Sequence, residues 1–276
     1  MKVVILAGGQ GTRLAEETDV RPKPMVEIGS RPILWHVMMH YSHYGFNDFA
    51  IALGYKGDYI KKYFADYRSL TGNVTISIGV KPQIECHDSQ HAEWRVELVE
   101  TGAATLTGGR VKRMKPYLDN STFMLTWGDG ISDVDLEQAY KFHRSHGKLA
   151  TVTAVRPPAR YGHIHFEGNQ ITSFEEKPQT AEGWINGAFF ILEPEVLDYI
   201  DDDMTMFEHE PMRALAEDGQ LMGYHHEGFW ACMDTLRDKQ RLHDMWEAGD
   251  RPWATWEEKK ANAVEVVAEP SSSIVG

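Results

Sequence analysis

Glycines and two cationic residues follow a short apolar run at the start of this chain, in the segment VVILAGGQGTRLAEETDVRPKP. The run Val3–Leu6 has the character of a buried strand, and it leads directly into the glycine-rich stretch Gly8–Thr12. Glycine lets backbone N–H groups approach an anion closely, and the N-terminus of a following helix would add positive potential. Arg13 and Lys23 bring two positive charges to the same region. These residue types at this spacing predict a binding site for a triphosphate.

The glycine-rich stretch does not fit two familiar nucleotide-binding loops. A dinucleotide-binding loop has the pattern G-x-G-x-x-G, but after Gly9 and Gly11 the third glycine position holds Leu14. A Walker A loop requires Gly-Lys followed by Ser or Thr, whereas here Gly11 is followed by Thr12 and Arg13. A strand-to-helix turn that binds no ligand is the remaining alternative, and the PKP tripeptide downstream disfavours it.

Asp129 and Asp234 are candidates for a metal site. Asp129 follows the apolar run Phe123–Thr126 and is flanked by Gly128 and Gly130, so its carboxylate is expected at the carboxyl end of a strand. A turn aspartate is the alternative, because Asp-Gly is common in turns. With the glycine loop upstream we favour a Mg²⁺ ligand, since Mg²⁺ takes one or two carboxylates together with substrate phosphate oxygens. The surroundings of Asp234 alone favour an N-cap of the helix that follows it.

Alternating strands and helices must position these residues. The first half predicts strands at Val3–Leu6, Phe49–Leu53, Val74–Val80, Phe123–Thr126 and Ala150–Val155, with helices at Ile33–Tyr44, Tyr59–Tyr67 and Leu136–Ser145. The second half is richer in strands, at Ile164–Phe166, Ile171–Glu175, Trp184–Leu192 and Leu221–His226, with helices at Pro194–Ile200 and Glu210–Glu217. This order predicts βαβ units and ligands beyond the carboxyl ends of the strands. The predicted fold is α/β: a Rossmann-like, open, mostly parallel mixed sheet flanked by helices in three α/β/α layers.

Composition narrows the classes of partner. The 276 residues are 42% hydrophobic and carry a formal charge of 28 − 41 = −13, with a pI near 5.4. That charge disfavours a nucleic-acid partner, because phosphate-backbone surfaces are strongly basic, but it permits a single nucleotide. Cys86 and Cys232 have no disulfide or zinc spacing, and neither a signal peptide nor a membrane-spanning run is apparent. These features predict a soluble, cytoplasmic protein without a membrane partner.

Several sequence blocks resemble one known family. The pattern G-G-x-G-T-R-L followed by P-K-P is the signature of sugar-1-phosphate nucleotidylyltransferases. The blocks PKPMVEIG, ILWHVM, GYKGDYIKKYF, TGGRVKR, WGDG, FEEKP, INGAFF and FWACMDTLRDK resemble the branch that couples CTP to glucose 1-phosphate. The resemblance covers about Met1 to Trp256. It implies a nucleotidyltransferase-type fold and Mg²⁺-dependent formation of CDP-glucose and pyrophosphate, for deoxysugar and surface polysaccharide biosynthesis such as that of lipopolysaccharide O-antigen.

The resemblance also implies a role for each matching residue. Arg13 and Lys23 are the implied catalytic residues, Arg13 toward the leaving pyrophosphate and Lys23 toward the nucleotide phosphates. Asp129 and Asp234 are the implied Mg²⁺ ligands. The implied nucleotide-binding residues are Leu6, Ala7, Gly8, Gly9, Gln10, Gly11, Thr12, Ala104, Gly109 and Gly128. The implied sugar-phosphate-binding residues are Gly162, beside Tyr161, together with Glu176, Lys177, Asn186 and Gly187.

The segment Thr101–Arg110 is expected to read the base through main-chain groups. In this chain it departs from the family pattern, because Ala103 and Ala104 stand where small hydroxyl or acidic residues are common. Backbone hydrogen bonds to a pyrimidine survive that change, so UTP or dTTP stays open beside CTP, as does another sugar 1-phosphate. A non-catalytic sensor of nucleotide or sugar phosphate is the alternative of another class, although Arg13 and Lys23 argue against it.

The resemblance implies one domain over residues 1–256, with a nucleotide-binding first half and a sugar-phosphate-binding second half. Residues 257–276 end in a Pro/Ser stretch and are expected to form a mobile tail. The late tryptophans Trp230, Trp246, Trp253 and Trp256 are expected in the core or in subunit contacts. By analogy with the family, the chain is expected to form a homo-oligomer.

Overall fold

The computed structural model describes residues 1–78, 83–87, 93–156, 163–167, 170–175 and 183–257, with backbone alone over the ranges between 163 and 175. Strands are distributed along all of these ranges. In chain order they are β1 (Lys2–Leu6), β2 (Glu27–Ile28), β3 (Arg31–Pro32), β4 (Asp48–Leu53), β5 (Asn73–Ser77), β6 (Gln83–His87), β7 (Arg95–Glu100), β8 (Phe123–Trp127), β9 (Gly130–Ser132), β10 (Ala150–Val155), β11 (His163–Glu167), β12 (Gln170–Glu175), β13 (Ile185–Leu192), β14 (Leu221–His226) and β15 (Trp230–Cys232).

Helices connect most of these strands. The α-helices are α1 (Ala15–Thr18), α2 (Ile33–His43), α3 (Gly57–Ala65), α4 (Tyr67–Leu70), α5 (Thr107–Arg113), α6 (Leu136–His146), α7 (Glu210–Glu217) and α8 (Leu236–Glu247). Short 3₁₀ segments lie at Thr12–Leu14, Lys23–Met25, Lys115–Tyr117 and Pro194–Tyr199. No helix in the described part of the chain has both the length and the apolar character needed to cross a bilayer.

A seven-stranded sheet in the order β14-β10-β13-β8-β1-β4-β7 organises the molecule. All neighbouring pairs in it are parallel except those made by β13, which runs antiparallel to both β10 and β8. The carboxyl ends of β1, β4, β7 and β8 therefore share one edge, and β13 starts at that edge. Smaller two-stranded ribbons pair β2 with β3, β5 with β6, β9 with β15, and β11 with β12.

Both faces of the sheet are covered. Val3 and Ile5 of β1 point to one face, where they join a buried cluster that includes residues of α2 and α8. Val4 and Leu6 point to the other face, where the buried cluster includes Val111 of α5 and Leu215 of α7. Because a strand alternates its side chains between faces, the run Val3–Leu6 is apolar throughout. The three α/β/α layers and the mostly parallel mixed sheet predicted from the sequence are confirmed.

Some elements differ from their predicted form. The segment Pro194–Ile200 is a 3₁₀ segment ending at Tyr199 and not an α-helix. The strand β7 was not predicted, and it forms one edge of the main sheet beside β4. β11 and β12 pair with each other in a separate ribbon and do not extend the main sheet, as β13 and β14 do. Of the predicted tail, residues 257–276, only Glu257 is described, and the single domain over residues 1–256 stays a prediction.

Candidate active site

The glycine loop follows β1 and is held through its carbonyl groups. Leu6 O accepts a hydrogen bond from Gly128 N at 3.0 Å, and Gly8 O accepts one from Tyr55 N at 3.1 Å. Gly11 has a φ of +64°, and a Cβ at Gly11 would lie 2.8 Å from Thr18 Cγ2. In the described part of the chain, no backbone N–H group between Gly8 and Gly11 donates to another protein group. The loop therefore offers free donors to an anion, as its composition predicts.

A cleft opens at the carboxyl edge of the sheet. Residues of the glycine loop, of the loop after β8 and of the start of α5 border it: Leu6, Ala7, Gly8, Gly9, Gly11, Thr12, Arg13, Lys23, Pro24, Thr105, Leu106, Thr107, Arg110, Trp127, Gly128 and Asp129. The structure thus brings most of the predicted nucleotide-binding and catalytic residues to one cleft. Gln10 lies in the same loop with an exposed side chain but is not among the bordering residues.

Lys23 borders this cleft and lies between the predicted metal ligands, of which Asp129 borders the cleft and Asp234 does not. Its Nζ donates to Asp129 Oδ2 at 2.6 Å and to Asp234 Oδ1 at 2.5 Å. Pro22 precedes Lys23 and Pro24 follows it in the 3₁₀ segment Lys23–Met25, so the backbone is stiff and the side chain is held in one direction. Burial disfavours the ammonium, but the charge of Asp129 and the hydrogen bonds from both carboxylates outweigh it and raise the pKa of Lys23 above its ordinary value. The lysine is therefore a fixed cation.

Asp234 forms ion pairs with two cations. Besides Lys23, the Arg13 guanidinium contacts it, with Nη1 at 2.8 Å from Oδ2. Burial favours the protonated acid, yet the hydrogen bond and charge of Lys23, followed by the charge of Arg13, hold the pKa of Asp234 below its ordinary value. The Arg13 side chain is 71% exposed. The partner of this exposed arginine in the nucleotide-free protein is therefore a predicted metal ligand.

Thr235, and not Asp234, caps helix α8. The Thr235 side chain accepts from Asp238 N, and the Asp238 side chain accepts from Thr235 N, which forms a capping box. The N-cap considered for Asp234 from the sequence is therefore wrong. With the cap supplied one residue later, the Asp234 carboxylate is free to point at Lys23.

Strand pairing brings Asp129 and Asp234 together across 105 positions of chain. Asp129 lies between β8 and β9, and β9 pairs with β15 so that Gly130 is opposite Cys232. Met233 N donates to Asp129 O at 2.9 Å, which fixes the start of the segment leading to Asp234. One donor atom each of Asp129, Cys232 and Asp234 lies within 4.8 Å of the other two. The spacing of Cys232 in the sequence predicts no zinc or disulfide site, and the pairing of β9 with β15 brings its sulfur beside the two carboxylates.

The opposite end of the cleft is bordered by the segment predicted to read the base. Arg110 is 4% exposed, and its guanidinium donates to the carbonyl oxygens of Leu53, Gly102 and Gly8 and to the hydroxyl of Thr101. A Cβ at Gly8 would lie 2.3 Å from Arg110 Nη1, so the guanidinium packs directly on the glycine backbone. Arg110 thereby ties the glycine loop to the ends of two neighbouring strands.

Thr107 and Trp127 also border the cleft, and neither is among the site residues predicted from the sequence. Glu208 joins them, because it accepts from Trp127 Nε1 at 3.1 Å and from Thr107 Oγ1 at 2.5 Å. Glu208 lies 81 positions after Trp127 in the chain, in a turn before α7. No local pattern in the sequence indicates such a contact.

Gly109 and Ala104 do not border the cleft. Gly109 lies inside helix α5 and not in an open loop, and a Cβ there would lie 2.5 Å from the Cα of Asp203. The close approach that requires glycine at this position is therefore to the protein's own backbone, and the binding of nucleotide by Gly109 stays a prediction. Ala104 is exposed in the turn before α5, and the neighbouring Thr105 borders the cleft in its place.

Asn186 and Gly187 lie at the start of β13. Phe189 is opposite Thr126 of β8, so the antiparallel register carries Asn186 and Gly187 past the end of β8 toward the edge where Asp129 lies. Asn186 Oδ1 accepts from Ala188 N at 2.8 Å, and Gly187 O accepts from Trp230 Nε1 at 2.8 Å. The other predicted sugar-phosphate residues, Gly162, Glu176 and Lys177, and the neighbouring Tyr161, lie outside the described residues.

The donor set at the base of the cleft fits a divalent cation. Two carboxylates converge there, and the ammonium of Lys23 lies between them as a positive charge. Mg²⁺ is bound in proteins by one or two carboxylates with substrate phosphates and water. Asp129 and Asp234 would hold such an ion at the end of the cleft where the glycine loop offers its N–H groups.

Comparisons with known proteins agree with this geometry. Residues 2–246 match the family model described as nucleotidyl transferase. Glucose-1-phosphate cytidylyltransferase of Salmonella typhi is 51% identical over 258 residues, which are 93% of this chain and all of the relative. Mannose-1-phosphate guanyltransferase of Saccharomyces cerevisiae is 32% identical over 86% of this chain and 62% of the relative.

A solved structure shares the fold. The crystal structure of HddC from Yersinia pseudotuberculosis superposes with a TM-score of 0.65 at 23% identity, covering 89% of this chain and 99% of the other. At that identity the superposition is evidence for the fold alone, and the fold agrees with the family model and with the sequence relatives. The resemblance drawn from the sequence motifs is thereby confirmed, and the chain belongs to the nucleotidyl transferase family.

Proposed function

We propose that the chain transfers a cytidylyl group from CTP to α-D-glucose 1-phosphate and releases CDP-glucose and pyrophosphate. The observation that carries this proposal is the Lys23 ammonium fixed between Asp129 and Asp234, at the base of a cleft that begins with unbonded glycine-loop amides. The relatives that are 51% identical over 93% of the chain are named glucose-1-phosphate cytidylyltransferase, which supports the choice of both substrates.

The proposed reaction is an in-line displacement at the α-phosphorus of CTP. An oxygen of the sugar phosphate forms the new P–O bond, the bond to the bridging oxygen of the β-phosphate breaks, and the electron pair leaves with pyrophosphate. Two anions must meet, so positioning and charge neutralisation supply most of the rate, and no side-chain nucleophile is required. The amides of Gly8 to Gly11 would bind phosphate oxygens, and Arg13 at the cleft mouth would neutralise charge on the leaving pyrophosphate.

Members of this family generally use a divalent metal, and we propose Mg²⁺ held by Asp129 and Asp234. When bound, the ion supplies charge neutralisation on phosphate oxygens. The Lys23 ammonium and the ion would compete for the same two carboxylates, since Lys23 contacts both. Binding of the metal–nucleotide complex would therefore release the ammonium from the carboxylates, and the released cation would contact the phosphates.

The base is proposed to lie at the end of the cleft formed by Thr105, Leu106 and Thr107. These residues border the cleft at the beginning of α5, opposite the carboxylates. Main-chain groups there would read the pyrimidine, so the side chains of Ala103 and Ala104 are not needed for that reading. For the sugar phosphate we propose Asn186 and Gly187, at the edge of the sheet beside Asp129. Gly162, Glu176 and Lys177 are proposed for the same subsite from the family motifs.

The proposal is tested by pyrophosphate release with glucose 1-phosphate and Mg²⁺, comparing CTP, UTP, dTTP, ATP and GTP. Release with CTP that EDTA abolishes and Mg²⁺ restores is the expected result. Equal or faster release with UTP or dTTP would keep the mechanism and overturn the base assignment. Binding of CTP without release under any combination of sugar phosphates would overturn the proposal of an enzyme and favour a sensor of nucleotides.

We propose further that the protein acts in the cytoplasm, where CTP is made, and forms a homo-oligomer. The ribbon of β5 and β6 exposes apolar side chains, with Ile76 58% and Ile84 62% exposed, and exposed apolar ribbons favour pairing with another copy. Light scattering on the wild type and on Ile84→Lys would test this. A wild-type monomer at micromolar concentration would overturn the oligomer. CDP-glucose made in this way would enter deoxysugar synthesis for surface polysaccharides.

A further inference from the structure

Cys232 lies beside the two carboxylates of the cleft. It ends β15, where pairing with β9 sets it opposite Gly130, the residue after Asp129. Its Sγ and one carboxylate oxygen each of Asp129 and Asp234 lie within 4.8 Å of one another. The sequence motifs assign no chemistry to this thiol, and the proposed transfer reaction does not use it.

A separate observation marks this point as a place for a cation. The Lys23 ammonium already lies there, 2.6 Å from Asp129 and 2.5 Å from Asp234, and Lys23 is only 9% exposed. An ion bound at the two carboxylates would lie near the Cys232 sulfur, since one donor atom of each of the three residues lies within 4.8 Å of the other two. The Cys232 thiol would thereby complete a set of two oxygen donors and one sulfur donor.

The identity of the third donor decides which ions prefer the site. Mg²⁺ is a hard ion that takes oxygen ligands, so it gains nothing from a thiol. Zn²⁺ and Cd²⁺ bind thiolates strongly and also accept carboxylates and water. A free cysteine thiol carries a proton, whereas a metal binds the sulfur as the thiolate. A soft cation displaces that proton when it binds.

We propose that Cys232, Asp129 and Asp234 form a binding site for a soft divalent cation of the Zn²⁺ or Cd²⁺ class, which excludes Mg²⁺ from the same carboxylates. The binding itself rests on the donor set alone. The consequence that such a cation inhibits the enzyme rests on the proposed function. This chain is therefore expected to be more sensitive to soft metals than a carboxylate pair alone would make it.

The direct test is a titration of the nucleotide-free protein with Cd²⁺ in a buffer without added thiols. Binding is followed by the ultraviolet charge-transfer absorption between thiolate and Cd²⁺, which requires a Cd–S bond and does not depend on activity. The wild type is expected to show the band up to one equivalent of Cd²⁺. Cys232→Ser and Cys232→Ala are both expected to lose it, so that a folding defect in one variant does not decide the outcome.

Cys86 provides the matched control, because it lies on β6 in a separate ribbon and is also a free cysteine. Cys86→Ser is expected to keep the band. A wild type without the band, or a band that survives in both Cys232 variants and disappears in Cys86→Ser, would overturn the proposal. Asp129→Asn is expected to weaken Cd²⁺ binding at least about tenfold, since one of three donors is lost.

A second measurement separates this proposal from the proposed function. Inhibition of pyrophosphate release by Zn²⁺ is measured in each variant relative to that variant's own activity with Mg²⁺. At least about tenfold more Zn²⁺ is expected for half-inhibition of Cys232→Ser than of the wild type, because the sulfur donor is lost. A Cd²⁺ band without any transferase activity would support the metal site and overturn the proposed function. Transferase activity without a Cd²⁺ band would support the proposed function and overturn the metal site.

Discussion

The ammonium of Lys23 lies 2.6 Å from the carboxylate of Asp129, although 106 positions of chain separate the two residues. The same ammonium contacts Asp234, so one lysine, together with Arg13 on Asp234, offsets the charge of two carboxylates that no local structure would hold together. An uncompensated pair of partly buried carboxylates would repel, and the lysine removes that repulsion in the free protein. In the nucleotide-free protein the lysine of the PKP motif therefore acts as a counter-ion of the two carboxylates.

This relationship predicts an unusual effect of Lys23→Met. We expect the nucleotide-free variant to bind Mn²⁺ about tenfold or more tightly than the wild type, because a cation that competes through two charge-assisted hydrogen bonds is lost. We expect kcat to fall at the same time. Calorimetric titration with Mn²⁺ measures the first effect, and pyrophosphate release measures the second.

Lys61→Met is the control for Lys23→Met. Lys61 also pairs with a carboxylate, that of Glu100, but both side chains are largely exposed and lie apart from Asp129 and Asp234. It is expected to leave Mn²⁺ affinity and kcat unchanged. Weaker Mn²⁺ binding by Lys23→Met than by the wild type would show that the lysine does not compete with the metal.

Arg13→Ala is expected to lower kcat by about 10²–10³ without lowering thermal stability. Its side chain is 71% exposed, and exposed ion pairs contribute about 0–1 kcal/mol to folding. A cation that acts on charge formed in the transition state is worth far more to the rate. Arg95→Ala, which removes another exposed arginine paired with carboxylates, is the control. An unchanged kcat for Arg13→Ala would contradict its role.

Asp129→Asn is expected to raise the Mg²⁺ concentration for half-maximal activity at least about tenfold and to lower kcat, since an amide is a weaker ligand for a hard cation. Initial rates over a series of Mg²⁺ concentrations measure both quantities. Asp58→Asn, at an exposed position in the first turn of α3, should behave as the wild type. The same Mg²⁺ dependence in Asp129→Asn and the wild type would remove Asp129 from the metal site.

Two glycines of the loop should respond differently to alanine. Gly11→Ala is expected to lower the free energy of unfolding by about 1–3 kcal/mol, because its φ of +64° is strained for alanine and Thr18 blocks the space. A Cβ at Gly9 would have no atom within 4 Å, so Gly9→Ala should change the free energy of unfolding by no more than about 0.5 kcal/mol. If the Gly9 backbone meets phosphate, KM for CTP should rise in this variant. Urea unfolding and steady-state kinetics measure these effects, and equal stability losses would contradict the argument.

His36 and His40 predict a loss of stability in mild acid. Burial lowers the pKa of His36 to about 4 and that of His40 to about 3. Below the ordinary pKa of about 6.5 the unfolded chain binds protons that the folded chain does not. The two buried histidines therefore contribute their full stability above pH 6.5. The free energy of unfolding declines as the pH falls toward 4, by about 2 kcal/mol for each histidine at pH 5.

Urea unfolding at several pH values between 7 and 5 measures that slope. His40→Gln should reduce it, since glutamine cannot titrate in this range and can keep a hydrogen bond to Thr255, the present partner of His40. His87→Gln, at an exposed site on β6, should leave it unchanged. A His40→Gln variant with the full slope would contradict the assignment.

The sequence predicted the parts of the site that depend on local pattern. Val3–Leu6 reads as a buried strand because both of its faces are covered, and Asp129 follows β8 because an apolar run ends at a glycine. The edge strand β7 was missed although charged and apolar residues alternate over Arg95, Val96, Glu97 and Leu98, the pattern of a strand with one face toward solvent. The surroundings of Asp234 in the sequence favour a helix cap, but Thr235 supplies that cap in the structure. Cys232 and Glu208 reach the site by pairing and packing between distant segments, which no local pattern records.

The aromatic residues at the end of α8 and just after it have a consequence for how the chain is made. Trp253 is fully buried against His36 of α2, and Trp246 fills the space beside Gly29. Translation proceeds at about 5–20 residues per second, so α2 leaves the ribosome roughly 10–40 s before its covering residues do. During that interval part of its apolar face has no partner within the nascent chain. That part of α2 is therefore open to contact with other molecules until Trp253 has been synthesised.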